Sequence, residues 1–99
     1  MSICFHCQQF AEKYLKALLH ERQRNVPRTH DCRTIITRLA ATDPALGKLM
    51  RRAAALLRMA VDPRYPGYQP SPSESRTAWN AAERIRAEVR RRLGLRPRP

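Results

Sequence analysis

Residues 2–22, SICFHCQQFAEKYLKALLHER, constrain the fold of this chain more than any other stretch. Ile3, Cys7, Phe10, Tyr14 and Leu18 recur at spacings of four and three, with Ala11, Leu15 and Leu19 alongside. Residues so spaced share one face of a 3.6-residue helix. Gln8, Gln9, Glu12, Lys13 and Lys16 are expected on the other side. Glu12 precedes Lys16 by four, the favourable order for a helical ion pair. The stretch predicts one long amphipathic helix that forms a wall of any core.

The rest of the chain reads as further helices between clear breaks. The first helix is expected to end near Arg22 to Asn25, because Asn25 tolerates left-handed backbone and Pro27 disfavours helix before it. Thr29 reads as the next cap, with Asp31 in the first turn of a helix reaching Ala41. Its apolar face is Cys32, Ile35, Ile36 and Leu39. Thr42, Asp43 and Pro44 mark a stop and restart, with Asp43 as cap and Pro44 at the first helical position. The third helix is expected over 44–61, inward through Leu46, Leu49, Met50, Ala53, Leu56, Leu57 and Ala60. Arg51, Arg52 and Arg58 fall largely off that face. The loop DPRYPGYQPS, 62–71, carries three prolines and excludes regular structure. Ser71, Pro72 and Glu74 then spell a capping box. Ala78, Ala82, Ile85, Val89 and Leu93 are the inner stripe of the last helix, with Trp79 beside it, and Gly94 suits its end. The expected class is all-α, most simply an up-down four-helix bundle. Residues 1–95 are its single domain and 96–99 a basic tail.

Charge and cysteines bound the setting. The 99 residues carry a formal net charge of +12, and every basic residue except Lys13, Lys16 and Lys48 is arginine. Such an excess attracts polyanions, although solvated helix faces produce the same composition. No apolar run is long enough to span a bilayer, and MSICFHC lacks the parts of a signal peptide. The expected location is therefore the cytoplasm, with Cys4, Cys7 and Cys32 as free thiols. Cys4, Cys7, His30 and Cys32 with His6 invite a zinc reading, but the spacing is weak and no metal or other cofactor is expected.

CFHCQQFAEKYLKALL resembles the helix CFHAQQAAEKALKALL typical of the HEPN domain family (higher eukaryotes and prokaryotes nucleotide-binding). PRTHD, residues 27–31, is similar to that family's segment of the same form. Arg64, Tyr65 and Pro66 resemble its RYP loop, and Ala78 to Val89 its alanine-rich last helix. The resemblance implies a nucleotide- or RNA-associated binding and interaction module. It also implies a partner, either a second copy or a minimal nucleotidyltransferase in a toxin–antitoxin-like system. Family members usually carry one more helix before this point, so the chain reads as an N-terminally shortened form. Ile3, Ala11 and Leu15 are then expected to face a partner, and a truncated, inactive relic is a further reading.

Candidate chemistry is sparse. Arg28, His30, Arg64 and Tyr65 are the expected phosphate or nucleotide contacts, through cations, the start of the second helix and base stacking. The structural alternatives are an Asp31 cap with His30 bonded across the loop, an ion pair at Arg64 and packing of Tyr65. Many family members resemble metal-independent endoribonucleases with an Arg-X4–6-His motif in the last helix region, where His moves a proton and Arg stabilises the phosphorane. The only matching spacing here is Arg24 with His30, outside the usual place, and the last helix has no histidine. Arg90, Arg91 and Arg92 with Arg96 and Arg98 form a basic end, suited to a helix C-terminus or to an acidic or RNA contact.

Overall fold

The computed structural model describes residues 3–61 and 70–95, apart from the side chains of Ala60 and Val61. The long loop with Arg64, Tyr65 and Tyr68 and the 96–99 tail lie outside the described residues. The described chain is all-α and contains no strand. Its elements are α1 (Ile3–Glu21), α2 (Cys32–Ala40), a 3-10 segment (Pro44–Leu49) running into α3 (Met50–Val61), and α4 (Pro72–Arg92).

Helix α1 is central, packing against α2, α3 and α4. Its buried face is Cys4, Cys7, Gln8, Ala11, Glu12, Leu15, Leu18 and Leu19. This corrects the expected face. Gln8 and Glu12 are inside at 3% and 8% exposure, whereas Ile3 and Phe10 are 47% and 40% exposed. Ala11 and Leu15, expected to meet a partner, are fully buried in the core. A helix covered on several sides buries a wider arc than one apolar stripe. At the polar edge of that arc Gln8 Nε2 and Glu12 find partners, described below, while Gln8 Oε1 has none among the described residues.

The helix ends show local sequence logic, with two shifts. Gln23 is left-handed at φ 56°, where Asn25 was expected to be. The Gln23 amide donates to the His20 carbonyl at 3.0 Å and the Arg24 amide to Leu19 at 3.0 Å, a Schellman end. Asp31, and not Thr29, caps α2: its carboxylate accepts from the Arg33 amide at 2.9 Å, while Thr29 Oγ1 accepts from the Asp31 amide. The α4 box forms as expected, with Ser71 Oγ accepting from the Glu74 amide and Glu74 accepting from the Ser71 amide, both at 3.0 Å. Gly94, φ 74°, ends α4, and the Gly94 and Leu95 amides donate to the Arg91 and Arg90 carbonyls.

Asp43 makes no cap, and its carboxylate explains why. It takes Arg22 Nη2 at 3.2 Å and Arg92 Nε at 2.7 Å. With that cap lost, and with the poor helix former Gly47 inside, residues 44–49 form a 3-10 segment and not the expected α-helix. The same carboxylate gathers the ends of α1 and α4 at the start of the 3-10 segment. Glu88 extends the clasp by binding Lys48 at 3.3 Å, Arg91 at 2.8 Å and Arg92 at 2.9 Å. With their ends together, α1 and α4 run in the same direction and α3 runs against both, so the chain forms the expected four-helix all-α bundle without a strict up-down alternation.

The core is aliphatic. Leu15, Leu18, Ile35, Leu39, Leu56 and Ile85 are fully buried. Ile36, Leu46, Leu49 and Ala53 are also inside, as their spacing predicts. Trp79, next to the buried Ala78, is 54% exposed. Cys4, Cys7 and Cys32 are free and buried. Burial pushes all three thiols up, Cys32 to about 12, so they act as small core side chains.

Two predictions follow from these ends. Gln23→Gly removes a left-handed side chain and should raise stability by about 1 kcal/mol, read as a Tm rise of several degrees; an unchanged or lower Tm would contradict the Schellman assignment. For Asp43, the hydrogen bond from Arg92 and then that from Arg22 outweigh desolvation and hold the carboxyl below its usual range. A depressed folded pKa gives stability that is complete above the unfolded value, about 3.9, and is lost as pH falls through the folded value. Asp43→Asn should therefore melt earlier than the native protein at pH 7, with the gap closing as the pH falls below the unfolded value and through the depressed folded one. A gap that persists in acid would sink this assignment.

Candidate functional site

The candidate site lies on the connector between α1 and α2, where Pro27, Arg28, Thr29, His30 and Asp31 return along α1. Two buried side chains of α1 receive it. Gln8 donates its Nε2 to the His30 carbonyl. Glu12 places both carboxylate oxygens 3.1 Å from His30 Nδ1. Lys16 Nζ binds the same carboxylate at 2.9 Å. Cys32 Sγ lies 4.0 Å from the Gln8 carbonyl, fixing the start of α2 against the same turn.

This arrangement assigns the imidazole. An ionised carboxylate only accepts hydrogen bonds, so Nδ1 carries a proton, and in the neutral ring Nε2 keeps its lone pair. The His30 side chain is 88% exposed, so the ring is held from below and presented outward. An imidazole so held can accept a hydrogen bond or a proton, and when protonated it offers a donor to an anion.

Arg28, two residues earlier, is exposed and has no carboxylate partner among the described residues. The connector thus brings Arg28 and His30 to one exposed stretch. The start of α2 itself is taken, because Asp31 occupies the Arg33 amide and binds the Arg33 guanidinium at 2.7 and 3.0 Å. The Arg33 hydrogen bond holds the Asp31 carboxyl below its usual range. An anion at this connector therefore meets side chains first, and not a free helix end.

Arg24 lies elsewhere. Its guanidinium is 3.3 Å from Thr42 Oγ1 and 3.5 Å from the Arg38 carbonyl, at the far end of α2. The helical rise over α2 is about 13 Å, so Arg24 and His30 sit at opposite ends of it and are not brought together. Arg64 and Tyr65 lie outside the described residues. No group of three or more His, Cys, Asp or Glu side chains among the described residues is arranged to hold a metal ion. Of the basic end, Arg91 and Arg92 pair with Glu88, and Arg92 also with Asp43.

Sequence reasoning missed Gln8 and Glu12 as members of the site. Hydrophobic periodicity puts polar residues outside, and these two stand at the border of the apolar arc. The available signal was a paired amide and carboxylate one turn apart, next to Ala11 and Leu15.

No helix among the described residues is long and apolar enough to cross a membrane. Searches of curated proteins and of solved structures found no significant match. A family model described as HEPN domain matches residues 1–92. With that match across nearly the whole chain, and an all-α fold beneath it, the chain belongs to the HEPN domain family of nucleotide- and RNA-related helical modules.

Proposed function

We propose that this protein is a binding and interaction module that takes a phosphate group of RNA or of a nucleotide at the connector, through Arg28 and His30. The observation that carries this reading is the seating of His30 on Glu12, which leaves Nε2 exposed on the same connector as Arg28, an exposed arginine with no carboxylate partner among the described residues. The net charge of +12 supplies long-range attraction for a polyanion. Arg64 and Tyr65 belong to the same reading as further contacts. A second copy or a small nucleotidyltransferase, in a toxin–antitoxin-like pair, is the proposed partner, and family membership supports it.

The test is fluorescence anisotropy of a labelled single-stranded RNA over a salt series. Arg28→Ala and His30→Ala should each weaken binding several-fold. Arg28→Ala should also flatten the dependence of log K on log salt by about 0.7, the value of one phosphate contact on a single strand. Binding that is unchanged in both variants would contradict the site. Cleavage of the probe that disappears in His30→Ala would establish the endoribonuclease reading in place of simple binding.

A further inference from the structure

A second basic cleft lies between α3 and α4, and its register makes it unusual. The antiparallel pair is aligned by Lys48, whose Nζ is 3.3 Å from Glu88 Oε1. One turn further along, the same alignment sets Arg52 opposite Arg84. Both line an open cavity of about 310 Å³ together with Asn80, Glu83 and Ala87. Opposite charges thus meet at one level and like charges at the next. Like charges placed face to face destabilise a fold, and an intervening anion reverses the sign.

No carboxylate among the described residues supplies that anion. Glu83, the acid on the cavity wall, is already engaged by Arg86, with Nη2 at 2.7 Å and Nε at 3.1 Å from its oxygens. Arg52 and Arg84 have no carboxylate partner among the described residues. The cavity therefore presents two guanidinium groups and one side-chain amide, with its acid neutralised. Guanidinium forks match the oxygens of a phosphoryl group in shape as well as charge. The volume is at the lower end for small-molecule sites, enough for a phosphate and the group that bears it.

We propose that this cleft seats one phosphoryl oxyanion between Arg52 and Arg84, with the Asn80 amide as a further donor. Helix α2 makes no contact with α4 among the described residues, so the cleft is separate from the Arg28 and His30 connector. The proposal does not rest on that site.

The experiment measures Tm and direct binding by calorimetry with inorganic phosphate, against chloride at matched ionic strength. The native protein should gain Tm in phosphate beyond its gain in chloride. Arg52→Ala and Arg84→Gln should lose that gain and about tenfold in phosphate affinity. Arg51→Ala, which removes the same charge from the exposed side of α3, should keep both. Arg84 is exposed, so Arg84→Gln keeps the test valid if Arg52→Ala fails to fold. Equal phosphate responses in native, Arg52→Ala and Arg84→Gln proteins would overturn the site, because diffuse anion binding then explains everything. A response lost in Arg28→Ala but kept in Arg52→Ala and Arg84→Gln would also overturn it, by placing the anion at the connector. Competition against phosphate by AMP or by a short single-stranded oligonucleotide identifies the source of the phosphoryl group, and competition by neither identifies free phosphate.

Discussion

The tie from Gln8 and Glu12 to His30 is the contact on which the connector and the site both depend. Leaving two polar side chains inside a small core without partners costs about 1–3 kcal/mol each. Here the returning chain partners them: the His30 carbonyl takes the Gln8 Nε2 donor and the His30 ring takes the Glu12 carboxylate, while Gln8 Oε1 stays buried without a hydrogen bond among the described residues. The same contacts dock the first turn of α2, which lets Cys32, Ile35, Ile36 and Leu39 reach the core. Because the imidazole is gripped through Nδ1, its other nitrogen faces solvent. A packing requirement inside the bundle thus yields an oriented, chemically capable group on its surface.

Charge is organised by the same economy. The chain has eight acidic residues against twenty basic ones. Two of those acids each join more than one cation, Asp43 binding Arg22 and Arg92 and Glu88 binding Lys48, Arg91 and Arg92, and a third, Glu12, binds Lys16 and the His30 imidazole. These carboxylates tie segments distant in sequence. The cations beyond them, such as Arg28, Arg38, Arg51, Arg58 and Arg84, stand outward. Membership in a nucleotide- and RNA-related family fits this distribution, in which acids hold the fold and arginines stand at the surface.

Much of the fold was legible in local chemistry. The Ser71 and Glu74 box, Gly94, and the inward faces of α2 and α4 follow from caps and periodicity, because short-range rules decide them. The failures have one physical source, which is that tertiary partners outbid local preference. Asp43 reads as a cap, but Arg22 and Arg92 draw its carboxylate away, and residues 44–49 tighten into a 3-10 segment. Phe10 reads as a core residue, but α1 and α4 pack within a core of Cys4, Ala11, Ala78 and other small or aliphatic side chains that leaves Phe10 outside. Glu12 reads as surface because periodicity records hydrophobicity and not the histidine eighteen residues away. His30 and Arg28 were legible as candidates; the carboxylate that orients the His30 ring was not.

The central claim is that Glu12 fixes the His30 tautomer. Long-range nitrogen–proton correlation on the histidine rings tests it directly, at a pH where the imidazoles are neutral. His6 and His20 are exposed references in the same spectrum. His30 should show a proton on Nδ1 and a bare Nε2, unlike the references, and should revert to their pattern in Glu12→Ala. A His30 ring indistinguishable from His6 and His20 in the native protein, or one protonated at Nε2, would contradict the account.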